Sequence, residues 1–287
     1  LAYVHVISDS LFALLSVAIL AKKLRLTFPH FQIIKSQLKT PKKDVIVVLL
    51  QQLITPLSIS LLTIIAASID YSYVAAFAFI LRMESLFLLI PMVLTTSIPA
   101  IVGSNYWVGN KQRVIQAYLI TFSFIILIQL IIAALLYFYI PSVSHFVCKQ
   151  DTVVNYISRY FIWVSWGYLS VGCIMVYQSC LNAKGKTLQA LVLGVLHRIV
   201  LVLVFAYIGS QLALQGDFYQ GIEYGHVINV AVSVNDYFYQ GILGGHIVSG
   251  LLMLLFLYKN RTLTHSVTHQ SNTPTSMNVL NENHKPT

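Results

Sequence analysis

Seven stretches of the chain stay apolar long enough to cross a bilayer, and the polar residues fall almost wholly between them. The runs lie near residues 2–21, 45–68, 72–102, 114–140, 153–182, 188–211 and 238–258. A helix needs about 20 apolar residues to span the hydrocarbon layer, and each run reaches that length. Residues 217–236 are interrupted by Asp217, Glu223, Asn229 and Asn235, so no span is assigned there. From Lys259 the chain is rich in Ser, Thr, Asn and His, a composition that favours disorder. The pattern predicts an all-α, polytopic membrane helix bundle of about seven transmembrane helices.

Composition agrees with this pattern. Of 287 residues, 57% are hydrophobic and 9% charged, against roughly 25% charged in ordinary soluble domains. The formal net charge of +9 would point to nucleic acid if the bases shared one amphipathic face. They fall in particular loops instead, so no nucleic-acid partner is expected.

Those loops set the topology. The segment after the first run, residues 22–44, carries seven Lys or Arg, and the next loop carries Asp70 and no base. Then come Lys111 and Arg113; Lys149 against Asp151; Lys184 and Lys186; Asp217, Glu223 and Asp236 with no base; and finally Lys259 and Arg261. Basic and non-basic loops alternate, as the positive-inside rule requires. The expected location is the bacterial inner membrane, with the start outside and the C-terminus cytoplasmic. The long basic connection also divides the chain. Short connections are the norm between packed helices, so residues 1–21 read as the last helix of an incomplete N-terminal lobe. Residues 22–44 then form a basic cytoplasmic linker, 45–258 a six-helix lobe and 259–287 a disordered tail. The chain opens on Leu1 with no basic segment or cleavage site, so the expectation is a fragment lacking its N-terminal part.

Cys148, Cys173 and Cys180 show no paired spacing, which fits packing and neither a disulfide framework nor a zinc site. The segment FYQGIEYGH (218–226) recurs as FYQGILGGH (238–246). It reads either as a local duplication lengthening an outer loop, or as a source of paired ligands in His226 and His246. Both histidines are expected near an outer interface. No metal or cofactor is expected.

Residues 81–114, LRMESLFLLIPMVLTTSIPAIVGSNYWVGNKQRV, resemble a stretch of the multidrug and toxin extrusion (MATE) family through Arg82, Glu84, Pro91, Gly103, Asn105 and Gly109. Ser104 stands where that family usually has Gln, and Trp107-Val108 where it has small residues. Residues 180–200, CLNAKGKTLQALVLGVLHRIV, resemble a later turn of the same family through Asn182, Gly185, Lys186 and Arg198. The resemblance covers about residues 1–260 and implies the C-terminal lobe plus one helix of the N-terminal lobe. It implies a secondary active transporter, not an enzyme. Such a protein exports small cationic or amphipathic compounds against protons or sodium, with the missing lobe and membrane lipid as partners. A lipid-linked oligosaccharide flippase, an inactive half-transporter and a polytopic membrane enzyme are the rival readings. No DxxD, HExxH or GxSxG motif supports the last.

Buried charge marks the candidate site. At about 1.5 Å per residue, Arg82 and Glu84 lie near the middle of the third run and Arg198 near the middle of the sixth. An ionisable group at that depth costs roughly 2.5 kcal/mol or more unless paired or hydrated. Residues 82 and 84 are about 200° apart on a helix, so Glu84 looks to Arg198 or to water. Two readings stay open: a fixed Glu84–Arg198 pair, or Glu84 in a wet cavity taking substrate or coupling ion. Asp9, one turn from His5, reads as a proton relay or as an outer polar patch. Gln51, Gln52, Tyr177 and Gln178 either line a cavity or cross-link helices. Asn105, Gly109, Asn182 and Gly185 read as turn residues, and Pro56 and Pro91 as sites of bending. The topology requires that Lys111→Cys and Lys186→Cys be labelled by an impermeant maleimide from the same face of the membrane; labelling from opposite faces would refute it.

Overall fold

The computed structural model describes Ser8 and residues 10–19, 42–69, 71–147, 149–212 and 230–270. Among the described residues all regular structure is helical. The chain divides into two compact units, residues 1–46 and 47–287. In the first, the described part of the first run is the short apolar helix α1, Ser10–Ile19. Six further helical stretches are long and apolar enough to cross a membrane.

The apolar runs become helices whose breaks follow local chemistry. Helix α2 is Lys42–Ile69, with Pro56 inside it. The third run splits at Leu88 into α3, Ser72–Phe87, and α4, Leu89–Trp107. Pro91 has no N–H to offer the Phe87 carbonyl four residues back. Gln129, fully buried, donates its Nε2–H to that carbonyl at 3.2 Å. Helix α5, Lys111–Val147, starts where the Asn110 side chain accepts from the Arg113 N–H at 3.3 Å, an N-cap geometry. The fifth run comprises α6, Asp151–Val164, a 3₁₀ turn at Ser165–Gly167, and α7, Tyr168–Ala183. The sixth is α8, Thr187–Leu212, which loosens to i→i+5 hydrogen bonding over Leu196–Leu203.

The last helix, α9, runs Val230–Gln270. It begins earlier and ends later than the apolar run, so residues 259–270 are helical where disorder was expected. Once nucleated, a helix gains one bond per added residue, and no Gly or Pro interrupts Leu251–Gln270. Residues 271–287 lie outside the described residues.

Two apolar clusters hold the second unit together. One is aromatic. Tyr73 of α3 stacks on Tyr156 of α6 at 4.0 Å between ring centroids, and the Tyr239 hydroxyl of α9 donates to the Tyr156 carbonyl at 3.0 Å. Tyr160, Phe161, Tyr168 and Phe238 belong to the same cluster, with aliphatic side chains around them. The other joins α4, α5, α7, α8 and α9 around Tyr118, Tyr177 and Cys180. Cys173 and Cys180 are buried free thiols. One contact ion pair is formed among the described residues, Arg159–Asp236 at 2.9 Å, linking α6 to α9. Asp236 also accepts from the Trp163 indole at 3.2 Å.

Helices α8 and α9 meet through glycine. A Cβ on Gly241 would lie 2.3 Å from the Phe205 carbonyl oxygen, and one on Gly245 2.8 Å from Val202 Cα. The obstacles are backbone, which has no rotamer to yield. This small-xxx-small spacing allows close backbone approach where no hydrophobic force drives helices together. The second copy of the duplicated segment is thus a helix-packing element; the first copy lies outside the described residues. Gly241→Ala should lower stability by about 1–3 kcal/mol through overpacking, read as an earlier thermal melt of the detergent-purified protein. An unchanged melt would mean that α8 and α9 do not meet at this glycine.

Candidate functional site

Two turns of like sequence close α4 and α7. Gly109 (φ 80°) and Gly185 (φ 72°) adopt the left-handed conformation, which glycine enters without a Cβ penalty. After α4, the Asn110 N–H donates to the Asn105 carbonyl (2.9 Å) and the Gly109 N–H to the Tyr106 carbonyl (3.1 Å). After α7, the Lys186 N–H donates to the Leu181 carbonyl (2.9 Å) and the Gly185 N–H to the Asn182 carbonyl (3.0 Å). Both are Schellman motifs.

The turns also touch. The Trp107 indole N–H donates to the Ala183 carbonyl at 3.3 Å, satisfying an acceptor that the end of α7 leaves open. Gln51 and Asn182 exchange side-chain hydrogen bonds of 3.0 and 3.3 Å, and Gln51 donates to the Thr187 carbonyl at 3.0 Å. Lys184 Nζ sits 4.7 Å from the Tyr118 ring centre and 5.5 Å from that of Tyr106. This is cation–π geometry.

A small cavity lies deeper in the bundle. It takes Ser58 from α2, Glu84 from α3, Tyr160 from α6, His197 and Arg198 from α8, and His246 from α9. Its volume is about 50 Å³, room for a few waters at ~10–15 Å³ each. Glu84 and Arg198 are half-buried, and no contact within 4.0 Å joins their charged atoms. The i→i+5 segment aims the α8 groups. In that geometry residues five apart stack, so His197 and Val202, and Arg198 and Leu203, present one face to the cavity.

The MatE family model matches residues 48–208, which include both glycine turns and the cavity residues of α2, α3, α6 and α8.

This chain belongs to the MATE family.

The FAD transporter of Shewanella oneidensis is 29% identical over 161 residues, which are 56% of this chain and 36% of that protein. The Vibrio cholerae MATE transporter VcmN, in its bent form, shares the fold with a TM-score of 0.71 at 23% identity, over 85% of this chain and 51% of VcmN. A multidrug resistance MATE family transporter in its inward-facing conformation matches with a TM-score of 0.64 at 17% identity, again over 85% and 51%. The chain thus spans about half the length of these solved MATE transporters and about a third of the curated relative. Membership of a transporter family and six apolar helices make this an integral membrane protein.

Within this MATE unit the structure sorts the candidate residues. Glu84 and Arg198 line the same cavity. Arg82 is exposed and points away from it, as its 200° offset from Glu84 leads one to expect. Gln51 does not line the cavity; its amide is engaged with Asn182 and Thr187. Tyr177 is buried in the second apolar cluster, edge-on to Tyr118. Asn105, Gly109, Asn182 and Gly185 meet at the paired turns, where Asn105 also donates to the Ile101 carbonyl at 2.8 Å. Asp9 and His226 lie outside the described residues.

His246 departs from expectation. It sits inside the bundle on the cavity and not near an outer interface, and its neighbour is His197, with ring centroids 5.3 Å apart. Sequence reasoning passed over His197. The apolar run around it gives it the look of a packed core residue, and only the i→i+5 segment turns it onto the cavity. No group of three or more metal-ligating side chains forms among the described residues.

Burial pushes the Lys184 ammonium down to about 8 from its usual 10.5, with Lys186 pushing the same way and Cys180 opposing. A lowered folded-state value means that folding meets its full charge penalty below pH 8, where Lys184 is protonated folded or unfolded. The penalty disappears as pH rises toward 10.5. Lys184 therefore contributes stability that grows between pH 8 and 10.5. Lys184→Gln should flatten that part of a melting-temperature–pH curve, and a slope equal to the wild type's would exclude Lys184 as its source.

Proposed function

We propose that this chain is one lobe of a two-lobe efflux transporter of the bacterial inner membrane, with its C-terminus cytoplasmic. It exports small cationic or amphipathic compounds in exchange for protons or sodium. The observation that carries this reading is Glu84, held in a cavity inside the helix bundle that Arg198 also lines yet not locked to it by contact. A carboxylate in a fixed ion pair has no capacity left for a cation. One held apart from its countercharge keeps that capacity, and Arg198 attracts the carboxylate without neutralising it.

Antiport follows if the ion and the cationic substrate compete for the same carboxylate. Each then lowers the affinity for the other by the same factor, so entry of one drives release of the other. Work of this kind needs no catalytic nucleophile and no cofactor. The 50 Å³ cavity is sized for the ion. The substrate route lies at the face this lobe turns to its partner lobe, and that lobe belongs to the working transporter.

The Shewanella relative is named for FAD, an anionic flavin dinucleotide, so FAD is the second substrate to test beside a cationic dye such as ethidium. Glu84→Gln keeps the side chain's shape and removes its charge. In membrane vesicles with matched expression it should reduce gradient-driven ethidium efflux roughly tenfold or more, about 1.4 kcal/mol of lost coupling. Undiminished, gradient-dependent efflux in this variant would remove Glu84 from the mechanism. Transport of FAD alone would replace the cationic substrate class.

A further inference from the structure

His197 and His246 are more than packing. Both are buried, and they enter the cavity from different helices. His197 Nδ1 is 2.7 Å from Ser249 Oγ, and Ser249 donates to the His246 carbonyl at 2.8 Å. A serine has one hydrogen. With that hydrogen committed to the carbonyl, His197 Nδ1 is the donor in the first bond, and its Nε2 carries a free lone pair. Nδ1 of His246 is buried and meets no protein partner among the described residues. A buried nitrogen without a partner costs stability that an apolar side chain of similar shape would not, so packing does not account for this ring.

The groups facing the pair define what it can bind. Glu84 comes from α3, Tyr160 from α6 and Arg198 from α8, while α2 supplies only the Ser58 hydroxyl. Tyr168, at the start of α7, lies within electrostatic reach of Glu84. Gly167 brings only backbone against the His246 ring. Hard metal cations favour a shell of oxygen ligands, whereas two of the donors here are imidazoles, and no group of three or more metal-ligating side chains forms among the described residues. The ligand that an imidazole lone pair and a carboxylate can share is the proton.

We propose that His197 and His246 form a proton relay that loads and unloads Glu84, making the proton, and not sodium, the ion this cavity takes. The proposal rests on the reading of Glu84 as the coupling carboxylate. A hydronium ion entering the cavity gives its proton to an imidazole nitrogen and leaves as water. The imidazolium N–H bond then breaks as an O–H bond forms on Glu84, directly or through one water, and the ring returns to neutral. Arg198 repels a charged His246, so the cationic ring is a short-lived donor. The same repulsion favours handing the proton on.

The test uses the two-lobe transporter that contains this chain, in lipid nanodiscs and in proteoliposomes. In ¹⁵N NMR of histidine-labelled protein, the ring nitrogens of His197 and His246 should titrate, and their midpoints should move by about half a pH unit or more in Glu84→Gln. Identical titrations with and without the Glu84 charge would overturn the relay. In proteoliposomes, a proton gradient should drive ethidium transport by the wild type and a sodium gradient should not. His246→Gln should lower the proton-driven rate roughly tenfold and shift its pH profile. Proton-driven transport unchanged in both His246→Gln and His197→Gln overturns the relay while leaving the Glu84 reading intact. Transport that ignores Glu84→Gln overturns both, and sodium-driven transport overturns the choice of ion. If His246→Gln fails to fold, His197→Gln and the wild-type titration decide.

Discussion

Inside a bilayer there is no water to rescue a stranded carbonyl, and this unit is organised around that constraint. Pro91 cannot donate to Phe87, so Gln129 reaches from α5 and does so. The amide of a fully buried glutamine is costly in hydrocarbon by itself, yet here it closes the gap that the proline opens. The break at Leu88 is therefore a supported bend. It separates the 16-residue helix that carries Glu84 from the span-length helix that leads into the Asn105–Gly109 turn.

The same constraint explains where polarity is tolerated. The Ala183 carbonyl at the end of α7 takes the Trp107 indole N–H, and the Thr187 carbonyl takes the Gln51 amide. The Arg159–Asp236 pair joins α6 to α9 and is partly exposed, where solvent shares its cost. Deep in the bundle one cavity collects Glu84, Arg198 and the two buried imidazoles. Concentrating them there lets one small cavity serve all of them. Elsewhere the helices pack through aromatic rings and glycine contacts.

Much of this was legible in the sequence. Five apolar runs match span-length helices, and the third yields one only at Leu89–Trp107; hydrophobic length is itself the physical requirement for crossing lipid. Gly109 and Gly185 marked the turns, because only a residue without Cβ enters a left-handed turn freely. Glu84 and Arg198 stood out as charges inside apolar runs, where charge needs a reason. What stayed hidden depended on side-chain direction and on helix register. Nothing local announces that residues 196–203 loosen to i→i+5 bonding, so His197 could not be told from a packed histidine. Gln129 lay in an apolar run with no sign that a carbonyl awaited it. The repeat aligns His246 with His226, whereas contact in the folded chain follows helix packing and sets His246 beside His197. The extension of α9 to Gln270 was missed because composition reports solubility better than helix length.

The paired glycine turns have a mechanical consequence. Trp107 joins the ends of two spans that are far apart in sequence, and Gln51 fastens a third through Asn182. Two helix ends and the side of a third helix bolted at one seam behave as a single lever arm. A displacement begun at the Pro91 bend would reach the seam as a swing of all three together, with no slippage between neighbours.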